Sequence, residues 1–187
     1  MGTLSEAILK REQKSISFED IKRTCSPHQK VSFAYLDDAP EKPDDSFFFK
    51  GGATCCACLC TVHDVHTHIP TDIHHWVTIL KNIDSKLSSK PHYIFHDSLG
   101  HHIHQLEGKL KMYKKSLSNW AADRRVVQNG MILQRHIASV QDCGMHTCCR
   151  IIMRHLNQPQ YLNWIKKSPL NPDLSVCFLC YFDLLKK

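Results

Sequence analysis

The window Ser139-Val-Gln-Asp-Cys-Gly-Met-His-Thr-Cys-Cys-Arg150 decides how the rest of the chain is read. Met145, Cys148, Cys149, Ile152 and Leu156 share one helical face, so the spacing predicts a buried helix ending near Asn157 and Pro159. Cys143 stands just ahead of that helix, where unpaired N–H groups and the helix dipole favour a thiolate. Gly144 allows a carbonyl group to approach the backbone closely, and the Cys143 N–H is placed to help bind an oxyanion. Taken alone, Cys143 reads first as a buried structural thiol, since such cysteines are common at helix starts. A nucleophile also needs a base to take its proton and a group to orient that base.

Residues upstream supply both roles. His75 opens a strand predicted over Trp76–Leu80, and Asp97 closes one predicted over Tyr93–Phe95. Ends of neighbouring strands can bring such side chains within hydrogen-bonding reach. Ala53–Val62, a run of small apolar residues without helical spacing, predicts a buried strand ahead of them. Leu106, Leu110, Tyr113 and Leu117 predict a helix over 105–120 with a lysine-rich outer face. Short strands are expected at Met131–Leu133 and Ala138–Val140, and a last helix over Leu174–Leu185. Thr3 and Glu6 form a capping box for an N-terminal helix bearing Leu4, Ala7, Ile8 and Ile16. The acidic stretch 37–45 and the segment 81–91 read as loops or turns. Mixed in this order, the elements predict an α+β fold in one domain spanning residues 1–187.

Composition narrows the classes. In 187 residues, 42% are hydrophobic and 22% charged, which excludes wholesale disorder, collagen and repeat arrays. The formal net charge of +6 permits a polyanionic partner without requiring one. The first residues carry no apolar signal run, Glu6 breaks a myristoylation pattern, and no stretch is apolar enough to span a membrane. Ten cysteines in such a chain are therefore expected as free thiols in a reducing, intracellular compartment.

With His75, Asp97, Gln141 and Cys143 in that order, the sequence resembles the adenovirus endopeptidase (adenain) family of cysteine proteases, related in fold to the SUMO-specific proteases. The matching pieces are Phe33-Ala-Tyr-Leu-Asp37, His75-Trp76, Tyr93-Ile-Phe95 followed by Asp97, Ser139-Val-Gln141, Cys143-Gly144 and Cys148-Cys149. The resemblance implies a papain-like cysteine protease with a central mixed sheet and the nucleophile at a helix N-terminus. It implies Cys143 as nucleophile, His75 as general base, Asp97 as orienting acid and Gln141 as oxyanion donor. Gln141 lies closer to the nucleophile than the family's glutamine does, so Gln134 is a second candidate. The acid is Asp, as in the SUMO proteases, where the adenovirus enzymes usually have Glu.

The resemblance further implies cleavage of viral precursor proteins at Gly-containing sites during virion maturation, in the host nucleus and the virion. The chemistry itself would require no cofactor. DNA and a short viral peptide activate that family, the peptide here being expected to add a strand to a sheet edge. Lys109, Lys111, Lys114, Lys115, Arg124 and Arg125 form the densest basic stretch and are the candidate DNA contacts, the bland reading being a solvated helix face. A deconjugating protease for ubiquitin-like proteins and a non-enzymatic basic nucleic-acid or zinc-binding protein are the alternatives. For zinc, Cys55-x2-Cys58 with His63-x2-His66, inside the Cys55–Cys60 and His63–His68 cluster, would supply four ligands. Strand alternation argues against it by aiming Cys55 and Cys58 at opposite faces, and no metal site is expected. His74 is expected on the face opposite His75. Cys177-x2-Cys180 reads as core packing, and His101-His102-Ile103-His104 as a solvated loop.

Overall fold

A computed structural model describes residues 16–63, 72–82, 92–110, 114–135 and 142–185. Along it run α1 (Phe18–Cys25), β1 (Val31–Tyr35), α2 (Asp45–Phe48), β2 (Cys55–His63), β3 (Asp72–Asn82) and β4 (His92–His96). They are followed by α3 (Ile103–Glu107), α4 (Ser116–Ala121), β5 (Arg125–Gln128), α5 (Cys143–Ile152), α6 (Gln158–Lys167) and α7 (Pro172–Leu185). The fold is α+β: the five strands form one mixed sheet in the order β1-β2-β3-β4-β5. The central pairs β2–β3 and β3–β4 are antiparallel, and each edge strand is added in parallel. No helix among the described residues is long and apolar enough to cross a membrane.

The lack of polar alternation in β2 follows from burial on both faces. Cys55 and Ala57 face a cluster that includes Ile21 of α1, Met145 and Cys148 of α5, Tyr161 of α6 and Cys177 of α7. Cys56, Cys58 and Cys60 face the other way, among Phe48, Phe95, Leu106, Leu117 and Trp120. The sheet is thus sandwiched between α1 and α5–α7 on one side and α2–α4 on the other. Cys177 and Cys180 pack in the first cluster, in keeping with the core reading.

Several elements depart from the sequence expectations. The N-terminal helix falls outside the described residues apart from Ile16, as do the 83–91 part of the expected turn and the strand at 138–140. The helix expected over 105–120 is two short ones, α3 and α4. Gly108 closes α3, and Leu110 then bridges to Val62 of β2. The apolar spacing still reports burial, since Leu106, Leu110 and Leu117 are all in the core.

Met131–Leu133 is not a strand. Its backbone groups are claimed elsewhere: Met131 N–H by the Asn129 side chain, and Leu133 N–H by the Ser98 carbonyl. The sheet instead takes Arg125–Gln128 as its edge.

Helix α5 stops short of Leu156 because buried Arg150 donates to the carbonyls of Met153 (3.1 Å) and Leu156 (3.0 Å) and stacks over Tyr161. Asn157, expected near a helix end, instead begins α6 through a reciprocal cap with Gln160. Helix α1 starts in the same way, with Ser17 and Asp20 exchanging hydrogen bonds.

Phe48 is fully buried and packs edge-on against Trp120 at 5.1 Å between ring centres. Phe48→Ala is expected to lower unfolding free energy by about 3–5 kcal/mol, read by urea titration. A change within about 1 kcal/mol would show that the α2–α4 side is not a packed core.

Candidate active site

Three elements converge at one end of the sheet. The register pairing Thr78 of β3 with His96 of β4 sets His75 and Asp97 diagonally across from one another on one face. Helix α5 begins at Cys143 itself. His75 Nε2 lies 2.8 Å from Asp97 Oδ1, with the two side chains 5% and 0% exposed. His74 is exposed and, by alternation, lies on the face of β3 opposite His75.

Burial alone would push the His75 pKa down. The Asp97 charge, its hydrogen bond and the Cys143 side chain, also hydrogen-bonded to His75, outweigh that and raise it to about 10. Burial likewise pushes Asp97 up, but the His75 charge and the hydrogen bonds from His101 and His75 hold its carboxyl well below the usual carboxylate range. An ionised carboxylate only accepts, so His75 Nε2 carries a hydrogen. The nitrogen left for the Cys143 thiol is Nδ1.

All ten cysteines are free, and Cys143 alone of them is not buried. It opens into a cavity of about 300 Å³ shared with Ile16, Phe18, His75, Trp76 and Gln134. The cleft is tight beside the thiol. Trp76 Nε1 donates to the Ile16 carbonyl (3.1 Å), and a Cβ at Gly144 would stand 2.7 Å from Ile16 Cβ.

Gln141 lies outside the described residues. Gln134, the second oxyanion candidate, lines the cleft; Ser98 Oγ donates to its Oε1 at 2.9 Å. With Oε1 engaged, the other polar end of that amide is its NH₂, a donor. The Ser98 carbonyl also accepts from the N–H groups of Leu133 and Gln134, fixing the chain that carries this side chain.

His101 departs from its solvated-loop reading. Its Nδ1 lies 2.9 Å from Asp97 Oδ2, and the next residues enter helix α3, where the His102 N–H is capped by Gln105. The sequence held one signal for this contact, a histidine four residues after the acid with a glycine between them. Among the described residues, His75, Asp97 and His101 are the one set of three whose potential ligand atoms gather within 4.8 Å. A divalent metal would stand about 2 Å from each donor. In this arrangement each ring nitrogen meets a carboxylate oxygen directly. For the rival cysteine–histidine set, Cys55 and Cys58 do face opposite sides of the sheet, and His66 and His68 lie outside the described residues.

The basic candidates divide. Lys109, Lys115 and Arg125 are exposed. Lys114 donates to the Asp37 carbonyl at 2.7 Å, while Arg124 pairs with Asp45 at 3.2 Å and stacks over Trp120. Lys111 lies outside the described residues. Compared with known proteins, the chain matches no family model and no curated protein.

His75 is raised above its ordinary 6.5, so its contribution to stability is full below that value and is lost as pH rises toward 10. Asp97 is depressed, so its contribution is lost as pH falls below the usual carboxylate range. The stability gap between wild type and His75→Gln, measured by urea unfolding, should be widest at about pH 5–6.5 and shrink above it. A gap independent of pH would contradict the ion pair.

Proposed function

We propose that the protein is a cysteine endopeptidase, a papain-like enzyme of the adenain/SUMO-protease type, with Cys143 as nucleophile. The observation that carries this reading is the line Cys143–His75–Asp97, in which the one unburied cysteine meets an imidazole held by a buried carboxylate. Cys143 Sγ, its proton passed to His75 Nδ1, attacks the scissile carbonyl. The resulting oxyanion is bound by the Cys143 N–H and by a glutamine amide. His75 then protonates the leaving amine, and the acyl-enzyme is hydrolysed by water that His75 activates. Asp97 holds the ring and its charge throughout. Gln134 is favoured over Gln141 as the amide donor because it lines the cleft with its oxygen already fixed by Ser98.

The crowding of Gly144, Ile16 and Trp76 beside the thiol supports substrates with glycine at the cut, since glycine alone brings no side chain. Viral precursor proteins cleaved during virion maturation, in the host nucleus and the virion, are the proposed substrates. The Asp in place of Glu favours a second reading, a deconjugase for ubiquitin-like proteins, which cut after Gly-containing tails. DNA is the proposed polyanionic partner through Lys109, Lys115 and Arg125, and a short viral peptide is proposed to add a strand at an edge of the sheet.

Site-resolved alkylation by mass spectrometry tests the nucleophile. Cys143 should outpace the nine buried thiols at about pH 6 and slow at least about tenfold in His75→Ala. Equal labelling of all ten, or no effect of His75→Ala, would sink the protease reading. In peptide cleavage at glycine, Gln134→Ala should cost about 10²–10³ in rate and Gln141→Ala far less. The reverse order would assign the oxyanion donor to Gln141.

A further inference from the structure

The carboxylate of Asp97 is completely buried, yet only one of its oxygens serves His75. Oδ1 accepts from His75 Nε2 and from the Leu99 N–H, both at 2.8 Å. Oδ2 accepts from His101 Nδ1 at 2.9 Å. The torsion that turns a carboxylate about its last bond is broad and nearly two-fold, so one donor set on one oxygen fixes the plane poorly. A donor on each oxygen fixes it well.

The backbone is shaped to deliver that second donor. Gly100 N–H closes a turn on the Asp97 carbonyl at 3.0 Å, and Gly100 adopts φ +75°. A Cβ at position 100 would stand 2.9 Å from the backbone of both Met131 and Ile132. Only glycine lets the chain double back here and bring the ring of residue 101 onto the acid four residues behind it. The His101 side chain is 15% exposed, against none for Asp97, so it stands between the buried acid and solvent.

We propose that His101 is a positioning residue for the site: by donating from Nδ1 to Asp97 Oδ2, it locks the carboxylate in the plane that holds the His75 ring toward Cys143. The inference rests on the catalytic reading of Cys143, His75 and Asp97. Without the donor, Asp97 can rotate or admit water, and the His75 ring loses its fixed orientation while its charge partner remains. Reactivity should therefore fall without vanishing.

Two nearly isosteric replacements isolate the donor. Asn at this position offers an N–H close to where imidazole Nδ1 stands, and Leu offers none. The readout is the alkylation rate of Cys143 by iodoacetamide in the full-length protein, with each variant's melting temperature recorded. His101→Leu is expected to slow Cys143 by about tenfold, the low end of what the outer hydrogen-bond partners of metal ligands contribute, taken as an analogous case, and His101→Asn to stay within about twofold of wild type. His101→Ala replaces the leucine variant if leucine does not fold. Asn and Leu variants that behave alike, both fast or both slow, would overturn the positioning role while leaving the Cys143–His75 pair intact. A wild-type Cys143 that is neither faster than the other thiols nor sensitive to His75→Ala would overturn the catalytic reading and this inference together.

Discussion

A carboxylate shut away from water must be compensated where it stands, and Asp97 organises this end of the molecule around that requirement. Removing an ion from water costs several kcal/mol even after the protein relaxes, so its partners are obligatory. Three N–H donors converge on its two oxygens, from β3, from its own turn and from His101. The turn also secures its surroundings. Asn129 Nδ2 donates to the Asp97 carbonyl, and Ser98 holds Leu133 and Gln134 through its carbonyl and hydroxyl. One short turn thereby fixes the acid, the imidazole and the amide that lines the cleft.

A second buried carboxylate applies the same logic to the helix that carries the thiol. Asp173 of α7 accepts from His146 Nε2 of α5 at 3.0 Å and from the backbone and side chain of Arg135 at 3.1 and 2.9 Å. It ties α5 to α7 and anchors the residue next to Gln134. Arg150, buried at the far end of α5, donates from its two terminal nitrogens to the carbonyls that follow the helix. Helix α5 is therefore held at both ends by charged groups whose directional partners add an angular constraint to the close packing of its apolar face.

What the sequence disclosed follows the same division between pattern and partner. Strands β2, β3 and β4 were legible because small apolar and β-branched residues run together there. The face of α5 was legible because its thiols and Met145 repeat at helical spacing. Asp97 could be placed because it directly follows β4, whereas His75, expected to open its strand, stands four residues into β3. Helix α1 was written in Ser17-x-x-Asp20 but lay behind a more conspicuous apolar spacing. The contact from His101 to Asp97 left only the trace of a glycine between an acid and a histidine, too little to read it from. It depends on a positive φ at Gly100, and the same residue types in an extended chain would point to solvent. Nor did the lysine-rich stretch reveal that Lys114 and Arg124 serve the fold, since their partners Asp37 and Asp45 lie far off in the chain.

The separation of these parts along the chain also sets an order of assembly. His75 and Asp97 stand 22 residues apart on adjacent antiparallel strands, a short loop for a nascent polypeptide to close. The thiol arrives much later, on a helix whose anchor in α7 is made later still. During synthesis from the N-terminus, Asp97 and His75 can pair while Cys143 is still unmade or undocked. On the proposed reading, Cys143 gains its partner only once α5 has docked, and Asp173 of α7 then pins that helix through His146.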